Sequence, residues 1–171
     1  MKKIMFFLLV MASTLVKCQN SNSVTVTEFD NIKINNVKLV DIKNTFGELN
    51  AVQGLFGVPV SSNIDPDGEF MRYEYNGLII GFSSLVAGGT HDKPLVGSIR
   101  VINNQASVTI KGIVITIGDN INKLGNVAFN IGKVSGNKSI IYQPTGWNSY
   151  FSIKFNQTTN VITKITYTEM T

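Results

Sequence analysis

Apolar and polar residues alternate with a period of two over several stretches of this chain, the spacing that puts every second side chain on one face of a β-strand. The clearest stretch is 71–82, where Asn76-Gly77 forms a two-residue turn signal, so this stretch predicts a β-hairpin. The other predicted strands are 24–29, 34–42, 95–103, 107–117, 131–143, 149–155 and 160–169, with a glycine-rich loop at 83–94.

One segment, 45–56, changes to the helical period. Thr45 and Glu48 have the T-x-x-E spacing of a capping box, which predicts the start of a helix. The apolar residues that recur at helical spacing are Phe46, Leu49, Val52 and either Leu55 or Phe56. Gly57 followed by Pro59 predicts the end of the helix, because proline cannot continue it.

The order of helix, loop and strands recurs in the second half of the chain. The polar residue and the two apolar residues at 44, 46 and 49 align with those at 119, 121 and 124, which predicts a second short helix within 118–129. Two interpretations stay open: a tandem duplication of about 36–103 and about 107–169, or a chance similarity of short apolar patterns.

These elements predict an α+β fold. We expect a flexible leader and a short first strand at 19–31, followed by a single domain at 32–171. The domain would hold a mainly antiparallel sheet with two short helices packed on one face.

Two motifs resemble a known architecture. The "FGVP" of 56–59 and the "YEYNGLIIGF" of 73–82 are similar to the helix end and hairpin of the β-lactamase-inhibitor-protein-like fold and related small exported bacterial domains. The resemblance covers 36–169 as architecture, although the second half lacks both motifs. It implies a sheet with helices on one face and a protein-binding surface on the other, and it transfers no inhibitory contact residue.

The N-terminus has the layout of an export signal. Lys2 and Lys3 precede nine apolar residues at 4–12, too few for a helix that spans a hydrocarbon layer of ~30 Å, which takes about 20 residues. We expect 1–18 to be removed as a signal peptide, so that the protein is periplasmic or secreted.

Cys18 leaves an alternative open. Cleavage of 1–17 would leave Cys18 as the lipidated first residue of an outer-membrane lipoprotein. A lipoprotein signal has a small residue before its cysteine, where this chain has Lys17, and the ending at 16–20 resembles Bacteroidetes signal endings. Cleavage after Cys18 is therefore favoured.

Removal of the signal changes the charge of the chain. The full sequence has 15 Lys and Arg against 11 Asp and Glu, and three of those lysines lie in 1–18. The mature part would have 12 against 11, so the net charge falls from +4 to +1. Basic character therefore does not indicate a nucleic-acid partner. Because Cys18 is the only cysteine, the rest of the chain predicts neither a disulfide nor a thiolate metal site.

Candidates for catalysis and metal binding are weak. His91 and Asp92 are neighbours, and neighbouring side chains point apart, so they do not predict a Ser–His–Asp site. Asp65, Asp67 and Glu69 alternate as calcium ligands do, but the "DPDG" of 65–68 is more typical of a turn. We expect no cofactor and no enzymatic activity, with a small hydrolase that uses His91 or these carboxylates as the alternative.

Aromatic residues are the tentative binding candidates. Tyr73 and Tyr75 share one face of a predicted strand, and Trp147 and Tyr150 lie close together in the sequence. Exposed, they would suit the binding of an unidentified protein or envelope component, whereas buried they would be core residues. We expect a non-enzymatic exported binding protein, with a purely structural envelope component as a further alternative, and membrane contact only through the signal or a lipid anchor at Cys18.

Overall fold

The computed structural model describes residues 22–86, 89–125, 127–128, 130–131 and 138–169. Within these residues the helices are α1 (Val26–Asp30), α2 (Leu39–Lys43) and α3 (Leu49–Phe56), with a 3₁₀ turn at Ile121–Leu124. The strands are β1 (Ser23–Val24), β2 (Lys33–Ile34), β3 (Val37–Lys38), β4 (Ser61–Ile64), β5 (Phe70–Tyr75), β6 (Leu78–Val86), β7 (Gly89–Val101), β8 (Ser107–Ile110), β9 (Ile113–Thr116), β10 (Asn130–Ile131), β11 (Lys138–Pro144), β12 (Tyr150–Phe155) and β13 (Ile162–Thr168).

Most strands belong to one large sheet. Its order is β1-β11-β12-β13-β7-β6-β5-β4, with β10 also paired to β11, and β1 with β11 is the parallel pair. A smaller sheet has the order β3-β2-β8-β9. The predicted α+β fold with a mainly antiparallel sheet is confirmed, and the described residues hold three short α-helices where two helices were expected.

The two faces of the large sheet differ in what covers them. A row of directly paired residues runs across five strands: Phe151, Tyr167, Ile99, Ile80 and Tyr73. All five are buried, and Phe29 of α1 packs on Phe151 and Tyr167 with ring centroids 5.7 and 6.1 Å apart. We call this helix-covered side the inner face and the opposite side the outer face.

The 71–82 hairpin forms where the sequence predicts it, and α3 ends where predicted but begins at Leu49, four residues later than the predicted start. Val52 of α3 is buried, and Gly57 ends the helix with φ 80°. Asn76-Gly77 joins β5 to β6, and Gly77 has φ 82°. A Cβ at Gly77 would lie 2.9 Å from the backbone nitrogen of Ala106, so the turn needs glycine both for its conformation and for space.

The predicted capping box is wrong, and a second T-x-x-E motif forms one instead. The Thr45 hydroxyl donates to the carbonyl of Ile42 at 2.7 Å, so Thr45 belongs to the end of α2. The motif that caps a helix is Thr25 and Glu28. Glu28 N–H donates to Thr25 Oγ1 at 3.1 Å, and Thr25 N–H donates to Glu28 Oε2 at 2.8 Å. The strand predicted at 24–29 is therefore wrong beyond Val24, because this box starts α1.

The segment 34–42 is not one strand. It turns at Asn35 and Asn36, whose φ angles are 48° and 68°, and Leu39–Lys43 then forms α2. Two left-handed residues are what a tight hairpin turn requires, and asparagine tolerates that conformation well.

Two other predicted elements also differ. The loop predicted at 83–94 is largely strand, because β6 and β7 extend their pairing to Val86 and Gly89. The strand predicted at 107–117 is a hairpin, β8 and β9, that turns at Lys111 and Gly112 with φ 50° and 81°.

The helix predicted within 118–129 is reduced to the 3₁₀ turn. Asn120 caps it by accepting from the N–H of Asn122 at 2.9 Å. Asp119 accepts instead from Thr116 N–H and from Lys123 Nζ, and the hydrogen bond from Lys123 is the main cause that lowers the pKa of Asp119.

Candidate functional site

Tyr73 lies in the core. Its side chain is fully buried on the inner face, its ring packs edge-on against Phe82 with centroids 6.0 Å apart, and its hydroxyl donates to the carbonyl of Gly47 at 2.6 Å. Burial, with a smaller effect from the charge of Glu48, raises the pKa of Tyr73. Tyr73 therefore offers no surface to a partner.

Tyr75 shares the inner face and is half-buried. Its ring packs against Phe56 of α3 with centroids 5.5 Å apart. Its hydroxyl is buried and has no hydrogen-bond partner among the described residues, and burial raises the pKa of Tyr75 to about 12. The contact with α3 makes Tyr75 part of the helix–sheet packing.

Trp147 lies in the turn between β11 and β12, where it is 36% exposed. Lys43 Nζ lies 5.4 Å from the centre of its ring, and the same ammonium lies 3.3 Å from Asp30 Oδ1 and 3.8 Å from Glu169 Oε2. Cation–π contact and ion pairs together fix Trp147 against α2.

Tyr150 begins β12 on the outer face and stands opposite Thr168. Four strand spacings separate β12 from β5, which at about 4.8 Å each is roughly 19 Å. The four predicted aromatic residues therefore do not form one patch.

Asp65, Asp67 and Glu69 lie in the turn between β4 and β5. Gly68 N–H donates to the carbonyl of Asp65 at 3.0 Å, and Asp65 Oδ1 accepts from the N–H of Phe70 at 3.0 Å, so the predicted turn forms. In the part of the chain that the structure describes, no three His, Cys, Asp or Glu side chains come together as a metal site would require.

Two predicted candidates are described only in part or not at all. The backbone of His91 belongs to β7, whereas the position of its side chain is not described. Cys18 and the whole predicted signal also lie outside them.

The outer face carries a groove of about 350 Å³ over β4 to β7. Its floor is the paired Gly81 and Ser98, together with Gly97, where the pairing of β6 with β7 shifts at a β-bulge. Glycine leaves no side chain above the sheet, so this part of the surface is recessed. We call this recess the outer groove.

Both arginines of the chain line the outer groove. Arg72 on β5 stands opposite Gly81, and Arg100 on β7 stands opposite Ile79. Asn63 stands beside Arg72 on β4, and Phe70, which is 51% exposed, lines the far end. The groove thus joins two guanidinium groups to apolar surface.

The two arginines differ in their partners. Arg72 Nη2 lies 2.6 Å from Glu74 Oε1, and both side chains are well exposed, so this pair contributes little to stability. The half-buried Arg100 makes no side-chain hydrogen bond or ion pair with any of the described residues. Arg100 is therefore available to an anionic group from outside the chain.

Sequence reasoning did not single out the outer groove. Arg72 and Arg100 are 28 positions apart, and β6, which stands between them, decides that they share a face. One signal in the sequence could have pointed to it. Each arginine lies in a predicted strand, between two apolar residues, and would therefore face away from the core.

Comparison with known proteins adds one weak similarity. No family model and no curated protein matches the chain. Among solved structures, it is similar to an extracellular protein that contains an SCP domain from Bacillus anthracis, with a TM-score of 0.40 and 14% identity. The match covers 86% of this chain and 46% of that one, so this chain spans less than half the length of that protein. Among the described residues, no helix combines the length and apolar character needed to cross a membrane.

Proposed function

We propose that this chain is an exported, non-enzymatic binding protein that engages a protein partner or envelope component through the outer face of its large sheet. The observation that carries the proposal is the outer groove, where both arginines of the chain lie on the face opposite the helices. The groove combines an arginine that has no side-chain partner among the described residues with an exposed phenylalanine, and arginine and aromatic side chains are enriched at recognition sites.

The composition of the outer groove supports binding in a second way. Phe70, which is 51% exposed, gives apolar contact area, while Arg72, Asn63 and Ser98 give directional hydrogen-bond donors and acceptors. Apolar surface with a few fixed polar groups provides both affinity and orientation.

The edge of the sheet beside the groove is also open to a partner. Among the strands that the structure describes, β4 pairs with β5 alone, and its residues are exposed and uncharged from Ser61 to Ile64. Such an edge presents free main-chain groups that an extended segment can pair with.

Site-specific photocross-linking tests this function. A photoreactive amino acid is placed at Asn63, on the rim of the outer groove, and in a matched protein at Asn50, an exposed asparagine of α3. We expect a discrete cross-linked partner from Asn63 in intact cells and none from Asn50. A partner captured from Asn50 alone, or from neither position, would contradict the proposal.

The export part of the proposal rests on the N-terminal sequence, with its two lysines and short apolar run. Intact-mass analysis of the mature protein with fractionation tests it. A chain that begins at Gln19 supports release, and a diacylated Cys18 in the membrane fraction supports a tether. A full-length chain in the cytoplasm would contradict export on either route.

A further inference from the structure

Arg100 belongs to a group of three cations on the outer face. Thr166 of β13 stands directly opposite Arg100, and Lys164 lies two residues from Thr166 on the same face. Lys154 of β12 stands directly opposite Lys164. We call Arg100, Lys164 and Lys154 the basic cluster.

The fold does not neutralise the basic cluster. Across the described residues, the ion pairs use Lys43, Arg72 and Lys123 as their cations and leave out all three members of the cluster. Lys154 and Lys164 are exposed, and like charges directly opposite each other on a sheet are unfavourable.

A polar atom within the cluster is also unsatisfied. Thr166 Oγ1 is buried and has no hydrogen-bond partner among the described residues. Thr166 stands between Arg100 of β7 and Ser152 of β12, so this unsatisfied hydroxyl belongs to the same row of outer-face residues as the guanidinium.

The net charge of the chain does not by itself predict binding to anions. Outside the predicted signal the chain is nearly balanced, with 12 basic and 11 acidic residues. A general attraction to any polyanion would require a net positive charge that the mature chain lacks. Which anion binds therefore depends on how the three cations are arranged.

The spacing of the cluster fits an extended acidic segment. Directly opposite residues in a sheet have Cβ atoms about 5 Å apart, and diagonal neighbours such as Arg100 and Lys164 are about 7–8 Å apart. Side chains on one face of an extended peptide repeat about every 6.6 Å, so alternate carboxylates match these distances.

We propose that the basic cluster binds an extended acidic segment of a protein partner, with alternate carboxylates on Arg100, Lys164 and Lys154. This proposal rests on the function proposed above. The outer groove continues from Arg100 past Ile79 to Phe70, and it would receive an apolar side chain of the same segment. That apolar continuation favours a peptide over an anionic lipid surface, whose headgroups would leave it empty.

A labelled peptide of alternating Glu and Val tests the proposal, with a peptide of alternating Gln and Val as its neutral control. Fluorescence anisotropy should show binding of the acidic peptide that weakens as salt rises, and at least tenfold weaker binding of the neutral one. Equal binding of the two peptides, or no binding of either, would overturn the proposal.

A second pair of lysines serves as a matched control for substitutions in the basic cluster. Lys33 and Lys38 are also directly opposed, in the smaller sheet away from the outer groove. We expect the double variant Arg100→Gln/Lys164→Gln to lose at least tenfold in affinity for the acidic peptide, and Lys33→Gln/Lys38→Gln to keep the wild-type affinity. Similar losses in both variants would show non-specific attraction and overturn the proposal.

Two further outcomes separate this inference from the function it rests on. Tighter binding to phosphatidylglycerol vesicles than to the acidic peptide, lost in the Arg100→Gln/Lys164→Gln variant, would replace the protein segment with a lipid surface. If the acidic peptide fails while cross-linking from Asn63 still captures a partner, the ligand class is wrong and the outer-face function stands. Far-ultraviolet circular dichroism and thermal melting confirm that each variant is folded.

Discussion

The inner and outer faces of the large sheet are built by the same strands, and they differ in almost every property. The inner row is buried, and it consists of three aromatic residues and two isoleucines: Phe151, Tyr167, Ile99, Ile80 and Tyr73. One residue along each strand, the outer row is Ser152, Thr166, Arg100, Ile79 and Glu74. The inner row supplies stability through packing, whereas the outer row includes an arginine that has no side-chain partner among the described residues and belongs to the surface that we propose for recognition.

The largest contrast should come from neighbouring residues of β12. Phe151→Ala empties a fully buried position that Phe29 and Tyr167 contact, and we expect a loss of about 3–5 kcal/mol in the free energy of unfolding. Ser152→Ala on the outer face should change it by no more than about 0.5 kcal/mol. Urea denaturation measures both, and equal losses would break the division between the faces.

A smaller contrast lies within the inner face. Tyr73→Phe removes the hydroxyl that donates to Gly47 and leaves that buried carbonyl unpaired, so we expect a loss of about 1–3 kcal/mol. Tyr75→Phe removes a buried hydroxyl that has no partner among the described residues, so its free energy of unfolding should stay within about 0.5 kcal/mol of wild type. Denaturation midpoints measured under one condition show which variant loses more stability. A larger loss for Tyr75→Phe than for Tyr73→Phe would contradict the prediction.

Tyr75 should affect how the free energy of unfolding depends on alkaline pH. Its pKa is about 12 in the folded chain and about 10 in an unfolded chain, so the folded state favours the neutral phenol. This preference for the neutral phenol contributes to the free energy of unfolding. The contribution is fully present below about pH 10 and is lost as the pH rises towards 12. Tyr75→Phe should therefore show a shallower fall in stability over that interval, with a residual slope from Tyr73 and Tyr142, whose pKa values burial also raises. An unchanged slope would contradict the burial of the Tyr75 hydroxyl.

The smallest expected effect is on the outer face. Arg72→Gln removes the exposed ion pair with Glu74, and the free energy of unfolding should fall by less than about 1 kcal/mol, and by less still at high salt. A loss as large as that of Phe151→Ala would mean that the outer face also maintains the fold. Thermal melts at low and high salt measure the difference.

The sequence predicts elements well where the local chemistry allows one conformation. Asn76-Gly77 specifies its hairpin because both the turn and the close contact with Ala106 need glycine. The T-x-x-E motif occurs at Thr25, at Thr45 and, inside β13, at Thr166. Of the first two, only Thr25 forms a capping box. Local pattern cannot separate the two, because α2 ends at Lys43 and the Thr45 hydroxyl is used to close it.

The candidate site depends on long-range pairing, which sequence patterns do not specify. Tyr73 and Tyr75 are on one face by their period, but only the position of α3 shows that this face is covered. Arg100, Lys164 and Lys154 come from three strands, and they meet because β7 pairs with β13. A shift of one residue in that pairing would place Arg100 on the inner face.

Cross-linking from Asn63 in the Arg100→Gln background tests the central claim most directly, since it joins the outer face to its free arginine. The account predicts a partner captured from Asn63 in the otherwise wild-type chain, a yield at least several-fold lower with Arg100→Gln, and no such fall with Lys38→Gln. An undiminished yield with Arg100→Gln, or capture of the same partner from Asn50, would contradict it.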